Sequence, residues 1–416
     1  MSDHDHHHGC AAVTPSRRAV LGAAGALFAW SFVPKFAHAA PGARDSRLVV
    51  IILRGALDGL SAVPPLADPD YAGLREGIAI QREGTNAGLP LDGFFFLHPA
   101  LPTLSRLYRD RQATIIHAVS TGYRERSHFD GQDVLESGQP GPGRTEDGWL
   151  NRLLQAMPEG EAISTRGALG VGVVPPLVVR GAAPVLGWAP PAMPRAGDDL
   201  AARLADLYGQ RDPALARALA RGRDVERLLA RPLQGQPRPR AAPDNAEGMR
   251  QIAEGAAKLL DADDGPRVAA LAFEGWDTHA DEGGATGRLA GLLRGLDGAV
   301  DAMEAGLRRR WADTAVMVIT EFGRTARVNG TVGTDHGSGT AAFLFGGAVK
   351  GGRVVADWPG LKTEQLHERR DLKPTTDLRA VIKGVAADLF GLSHATLGDK
   401  VFPGTLGIPP MKGLIA

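Results

Sequence analysis

The stretch TAVMVITEFGRTARVNGTVGTDHG, Thr314 to Gly337, changes character at Glu321. Up to Thr320 it is an apolar strand. Beyond it, Gly and Thr alternate with Glu321, Arg324, Asp335 and His336. That composition suits neither a core nor a helix. It suits a loop that holds polar atoms at fixed positions, with glycines letting the backbone turn tightly.

The same sequence pattern recurs along the chain. RLVVIILRGALDGL (Arg47 to Leu60) opens with a continuous apolar run, as expected of a strand buried on both faces of a parallel sheet, and Asp58 follows its end. ATIIHAVS (Ala113 to Ser120) is a second strand, followed by a loop that enters a helix near Ser127 and His128. RVAALAFEG (Arg267 to Gly275) is a third, followed by Asp277 and His279. TAAFLFGG (Thr340 to Gly347) is a further strand. Helical spacing fills the intervals, notably at 246–260, 286–310 and 375–391. Strand-helix alternation predicts an α/β fold with a mostly parallel central sheet flanked by helices. Residues from about 160 to 245 break the pattern with Pro-rich runs and an Ala/Leu/Arg/Asp segment, and read as a helical or irregular insertion.

The chain has 416 residues, 44% hydrophobic, with 47 Lys+Arg against 47 Asp+Glu. That is ample for a large core, and the charge balance gives no reason to expect nucleic acid as a partner. Residues 1–39 read as an export signal. An Arg17–Arg18 pair precedes the charge-free run Ala19 to Val33, and a small-x-small AHA ends at Ala39. The run is too short to span a bilayer, so no stable membrane span is expected. The twin-arginine translocase is the expected export partner, and the mature chain, 40–416, is expected in the periplasm or outside the cell. That route carries folded proteins, often with a metal or cofactor already inserted. Cys10 is the only cysteine and lies in this segment, which excludes disulfides, thiolate nucleophiles and Cys–metal sites from the mature chain. His98, His117, His128, His279, His336, His367 and His394 remain.

Any one of these polar residues could be a helix cap or a turn residue. Together they follow successive strands, where ligands bind in open parallel sheets. Carboxylate plus imidazole suits a divalent ion such as Zn or Mn.

LRGALDGL (53–60), RSHFDGQDVLESG (126–138), GWDTHA (275–280), the 321–337 loop, VKGGRVVADWPGL (349–361) and DLKPTTDLRAV (371–381) identify the chain as resembling the domain of unknown function 1501 family. That family resembles a divergent branch of the alkaline phosphatase and sulfatase superfamily. The resemblance implies a metal-binding Asp58, a nucleophilic Ser127 at a helix N-terminus, and metal-binding Asp277, His279 and His336. Glu321 would stand for an Asp and Phe322 for a His; Asp335 or His128 would fill the resulting gap. A second register makes Asp335-His336 the Asp-His pair and leaves the last ligand to His367. Arg324 would clamp the oxygens of a bound anion, with Arg126 and Arg54 as weaker candidates. One or two ions would be held. The implied activity is hydrolysis of a phosphate ester, less readily a sulfate ester, on a small phosphorylated or envelope-derived substrate. SHFDG lacks the x-Pro-x-Arg context for formylglycine. The alternative is a non-catalytic, metal-stabilised periplasmic binding or assembly protein.

Overall fold

A computed structural model describes residues 45–157, 167–172, 174–189, 220 and 244–416. The export segment lies outside them, as does most of the span read as an insertion.

Strand β1 (Arg47–Leu53) is buried along its whole length. Val49, Ile51 and Leu53 face one core, and Leu48, Val50 and Ile52 face another. This two-sided burial is what its unbroken apolar run requires. The remaining strands of the sheet are β2 (Ala113–Ser120), β3 (Ala168–Val171), β4 (Val185–Trp188), β5 (Val268–Phe273), β6 (Thr314–Thr320), β7 (Thr340–Phe345), β8 (Arg353–Val355) and β9 (Thr376–Asp377). The order of the nine-stranded sheet is β8-β2-β7-β6-β1-β5-β3-β4, with β9 paired to β2. All pairs are parallel except those made by β7, which runs antiparallel to β2 and β6. The mostly parallel sheet is therefore as expected. Within the span read as an insertion, β3 and β4 join the main sheet.

Helices cover both faces. The first core is closed by α1 (Pro102–Arg109), α4 (Ala246–Asp261) and α5 (Arg288–Gly306). The second is closed by α3 (Trp149–Ala156) and α6 (Leu378–Phe390). Helix α2 (His128–Ser137) starts at the carboxyl end of β2 and is capped by Ser127, whose side chain accepts from the Asp130 N–H. Among the described residues, no helix is long and apolar enough to cross a membrane.

In the sheet order β6-β1-β5, the neighbours of β1 run parallel to it on both sides, so the loops after these three strands leave the same edge. Gly55, just past β1, has φ +119°, a conformation that L side chains rarely adopt. A Cβ there would lie 2.8 Å from the Trp276 carbonyl carbon and closer still to the Asp277 nitrogen. The loops after β1 and β5 therefore touch through backbone. Gly55→Ala is expected to lower unfolding free energy by about 2–4 kcal/mol, read from urea denaturation of the metal-free protein.

Candidate metal centre

The loops at this edge bring one cluster together. His128, at the start of α2, Asp277, after β5, and His336, in the loop from β6 to β7, each present a ligand atom, and these atoms lie within 4.8 Å of one another. The His128 and His336 Nε2 atoms are 2.8 Å apart. His279 Nε2 lies 2.9 Å from His336 Nε2 and 3.1 Å from Asp277 Oδ1.

The far side of each ring decides what these nitrogens are. His336 Nδ1 is 2.8 Å from the Arg126 backbone carbonyl, which can only accept, so Nδ1 carries the proton. His128 Nδ1 is 2.8 Å from Glu321 Oε1. His279 Nδ1 is 3.2 Å from Asp335 Oδ1. Both carboxyls are ionised. Burial works to raise Glu321, but hydrogen bonds from His128, its own and the Gly55 backbone, and Gln132 hold it below its ordinary value. A hydrogen bond from Asn329 leads in lowering Asp335, with His279 adding to it. Each neutral ring therefore carries its proton on Nδ1 and turns an Nε2 lone pair toward the other rings. Three lone pairs and a carboxylate facing one another repel unless a cation lies among them. This is also how metal-ligating histidines are oriented by carboxylates and carbonyls behind them. The donor set of imidazole nitrogens and one carboxylate fits Zn and similar divalent ions.

Without an ion, only protons can hold the cluster together. Burial works to lower His128, but hydrogen bonds to Asp277 and Glu321 outweigh it and raise the ring to about 9. Burial works to raise Asp277; hydrogen bonds from His128, His336 and Arg324 instead hold it well below the usual carboxylate range.

Glu321 is wholly buried, with no exposed surface. It accepts from Gly55 N at 2.9 Å and Gln132 Nε2 at 3.1 Å, and orients His128 rather than joining the three converging ligand atoms. Asp335 is half exposed and stands behind His279. Phe322, in the place where the resemblance implies an imidazole, joins Ala56, Tyr123 and Val134 in a small core. Its ring stacks on His128 with centroids 5.0 Å apart, so it forms an apolar floor under the cluster.

Five residues named from the sequence have other partners. Asp58 is buried, accepts from Ser61 N at 3.0 Å and pairs with the buried Arg75. Among the described contacts it makes none with the cluster, its carboxylate being taken up by Ser61 and Arg75. Arg324 is buried and spends its donors on Asp277 Oδ1, at 2.5 Å, Thr334 Oγ1, at 3.2 Å, and the Thr334 carbonyl. It braces a cluster residue instead of reaching an open anion site. The Ser127 hydroxyl is 3.5 Å from the Asp130 N–H that it caps, one residue before His128. Arg54 lies between Glu136 and Glu274. His367, the last ligand in the second register, is bridged by backbone to Asp371.

His128 stood in the sequence reading only as a substitute ligand, and Gln132 was not named. The usable signal for His128 was its place in the first turn of the helix after β2.

A family model described as Protein of unknown function (DUF1501) matches residues 118–402. The chain belongs to this family. The match takes in His128, Asp277, His279 and His336. No curated protein matches the chain. Solved structures do. A crystal structure of Ps i-CgsB in complex with k-i-k-neocarrahexaose is 12% identical, over 88% of this chain and 77% of that one, with a TM-score of 0.39. The phosphonate monoester hydrolase of Agrobacterium radiobacter is 12% identical, over 74% and 70%, at 0.34. The one from Silicibacter pomeroyi is 12% identical, over 88% and 77%, at 0.35. At that level of likeness no residue role in this DUF1501 protein follows.

In the chelator-treated protein, NMR of the imidazole protons should show His128 titrating near pH 9. Its folded pKa is raised, so its contribution to stability is full below about 6.5, the ordinary value for His, and is lost as pH rises through about 9. Melting temperature should fall across that window, and the fall should flatten in His128→Ala. A His128 that titrates at its ordinary value contradicts this.

Proposed function

We propose that this protein is an exported metal-dependent hydrolase of phosphate esters, with Ser127 as nucleophile. The observation that carries the reading is the set of three Nε2 atoms turned toward one another beside Asp277, each ring held from behind by a carbonyl or an ionised carboxylate. His128, Asp277, His279 and His336 would hold one divalent ion, with Zn or Mn best suited to the donors. Bound there, the ion would supply Lewis-acid stabilisation of negative charge on a phosphoryl oxygen and lower the pKa of a nearby hydroxyl.

The protein's own part is position. Asp277 is 40% exposed in its side chain and His279 45%, so the cluster opens to solvent on their side. The first turn of α2 offers backbone N–H groups and a positive dipole end next to the cluster, both favourable to an anion. Ser127 sits at that turn, and its long 3.5 Å cap bond leaves the hydroxyl easy to release. In the proposed reaction Ser127 Oγ forms a bond to phosphorus as the bond to the ester oxygen breaks. The serine proton passes to solvent and the leaving alkoxide takes one up. Water then cleaves the phosphoseryl ester, restoring the hydroxyl and releasing phosphate.

Two observations favour the non-catalytic reading instead. Arg324 faces inward onto Asp277, and Asp58 is locked to Arg75, so an anion clamp and a second ion site are both unsupplied by the residues first named for them. One set of measurements separates the readings. Metal analysis of untagged protein should give about one equivalent of a divalent ion, lost in His336→Ala. Against p-nitrophenyl phosphate, Ser127→Ala should keep the ion and lose turnover by about a thousandfold or more. Bound ion without turnover on a broad panel of phosphate and sulfate esters would favour a binding or assembly protein. A folded protein without ion would sink both.

A further inference from the structure

Asp371 opens the run DLKPTTDLRAV (371–381), for which the metal centre has no direct use. The carboxylate is fully buried and touches no cluster residue's side chain among the described contacts. We propose that Asp371 is a positioning residue for the metal-site histidine His336, acting through Arg126. This rests on the metal-centre reading above.

The His336 ring is aimed by one bond, from its Nδ1 to the Arg126 carbonyl at 2.8 Å. Arg126, which presents that carbonyl, takes φ +60°, a left-handed conformation that a non-glycine residue avoids without restraint. Asp371 is the restraint. Its Oδ2 accepts from Arg126 Nε at 3.2 Å and Nη2 at 2.9 Å. Ser338 Oγ donates to the same oxygen at 3.0 Å, which fixes the carboxylate from the loop that carries His336. Glu368 adds a second, more exposed partner to Arg126. The neighbouring Arg370 donates to the His336 backbone carbonyl. Ring and backbone of His336 are thus both gripped from the turn at 367–371.

That turn is itself held off its own preference. Glu368 (φ +50°) and Arg369 (φ +56°) are both left-handed, in a tight antiparallel connection between His367 and Asp371. Such turns normally use Asn and Gly. Just beyond it, Gly339 donates to the Leu372 carbonyl at 2.9 Å and Thr375 donates to the Ala118 carbonyl at 2.8 Å. Strand β9 then pairs with the end of β2. The whole run is stitched to the edge of the sheet where the cluster lies, and Asp371 is its reach toward His336.

The test uses the full chain, stripped with chelator and titrated with Zn alone, and Co(II) absorption as a report on ligand geometry. Wild type and His336→Ala give the reference limits. Melting of the chelator-treated variants checks folding. Asp371→Asn keeps the shape and removes the charge. It should weaken Zn by about 10–100-fold, the usual cost of losing an outer-shell partner, and change the Co(II) spectrum while the fold survives. If Asp371→Asn does not fold, Arg126→Lys decides on the same criteria, since it keeps a positive charge beside Asp371 but loses the two-pronged grip. A folded variant with wild-type Zn affinity and an unchanged Co(II) spectrum overturns the proposal. Failure of wild type itself to bind Zn or Co(II) overturns the metal-centre reading, and this proposal with it.

Discussion

Everything at the site depends on β1 being hydrogen-bonded on both edges by parallel partners. Parallel neighbours lie about 4.8 Å apart, so the ends of β5, β1 and β6 deliver their loops side by side with little freedom to drift. The contacts between those loops are correspondingly direct. Gly55 N donates to Glu321 across from β1 to β6, and the Gly55 backbone lies against Asp277 on the β5 side. Glu321 then reaches His128. One backbone crossing point thus sets the spacing of a carboxylate, an imidazole and the carboxylate that faces them.

Burial explains the unequal roles of the acidic groups. Glu321 has no solvent and four donors around it, so it stays charged and fixes a ring. Asp58 is equally buried but meets a guanidinium first, and the close Arg75 pair absorbs its charge. Beside it, Glu282 has no exposed surface; burial, and the nearby Asp58 charge, push it up to about 7. Thr334 accepts from Arg324 and donates to Glu282 at 2.7 Å. This inner polar layer therefore supports Arg324, and through it Asp277.

The strands were legible because their side-chain pattern is local. Arg47 to Leu53 shows no alternation, and two-sided burial is the physical reason. The edge of the sheet that carries the site was legible for the same reason, since polar residues follow several strand ends. What was not legible is which polar residues meet. Asp58 and Asp277 look alike in the sequence, each an acid just past a strand; only the tertiary position of Arg75 separates them. Arg324 looks like a free cation until Thr334 and Asp277 are seen to occupy it. His128 was overshadowed by Ser127, whose capping position is the stronger local signal. Phe322 was read as a missing ligand, whereas it packs α2 against the end of β6, with Gly131 allowing the approach. Asp371 carried no local signal of its role, since its partner Arg126 lies 245 residues away.

The distance along the chain between the cluster residues has a consequence for assembly. His128 and His336 are 208 residues apart, and His279 and His336 are 57 apart. Before the sheet closes, only Asp277 and His279 are neighbours, too few donors to retain an ion against water. High-affinity capture of the proposed ion would thus be a late event, coupled to completion of a slow, non-local topology. If the chain is exported folded with an ion at this centre, as proposed, the ion would be chosen where the sheet closes, from the metals available in the cytoplasm, and not from those at the destination.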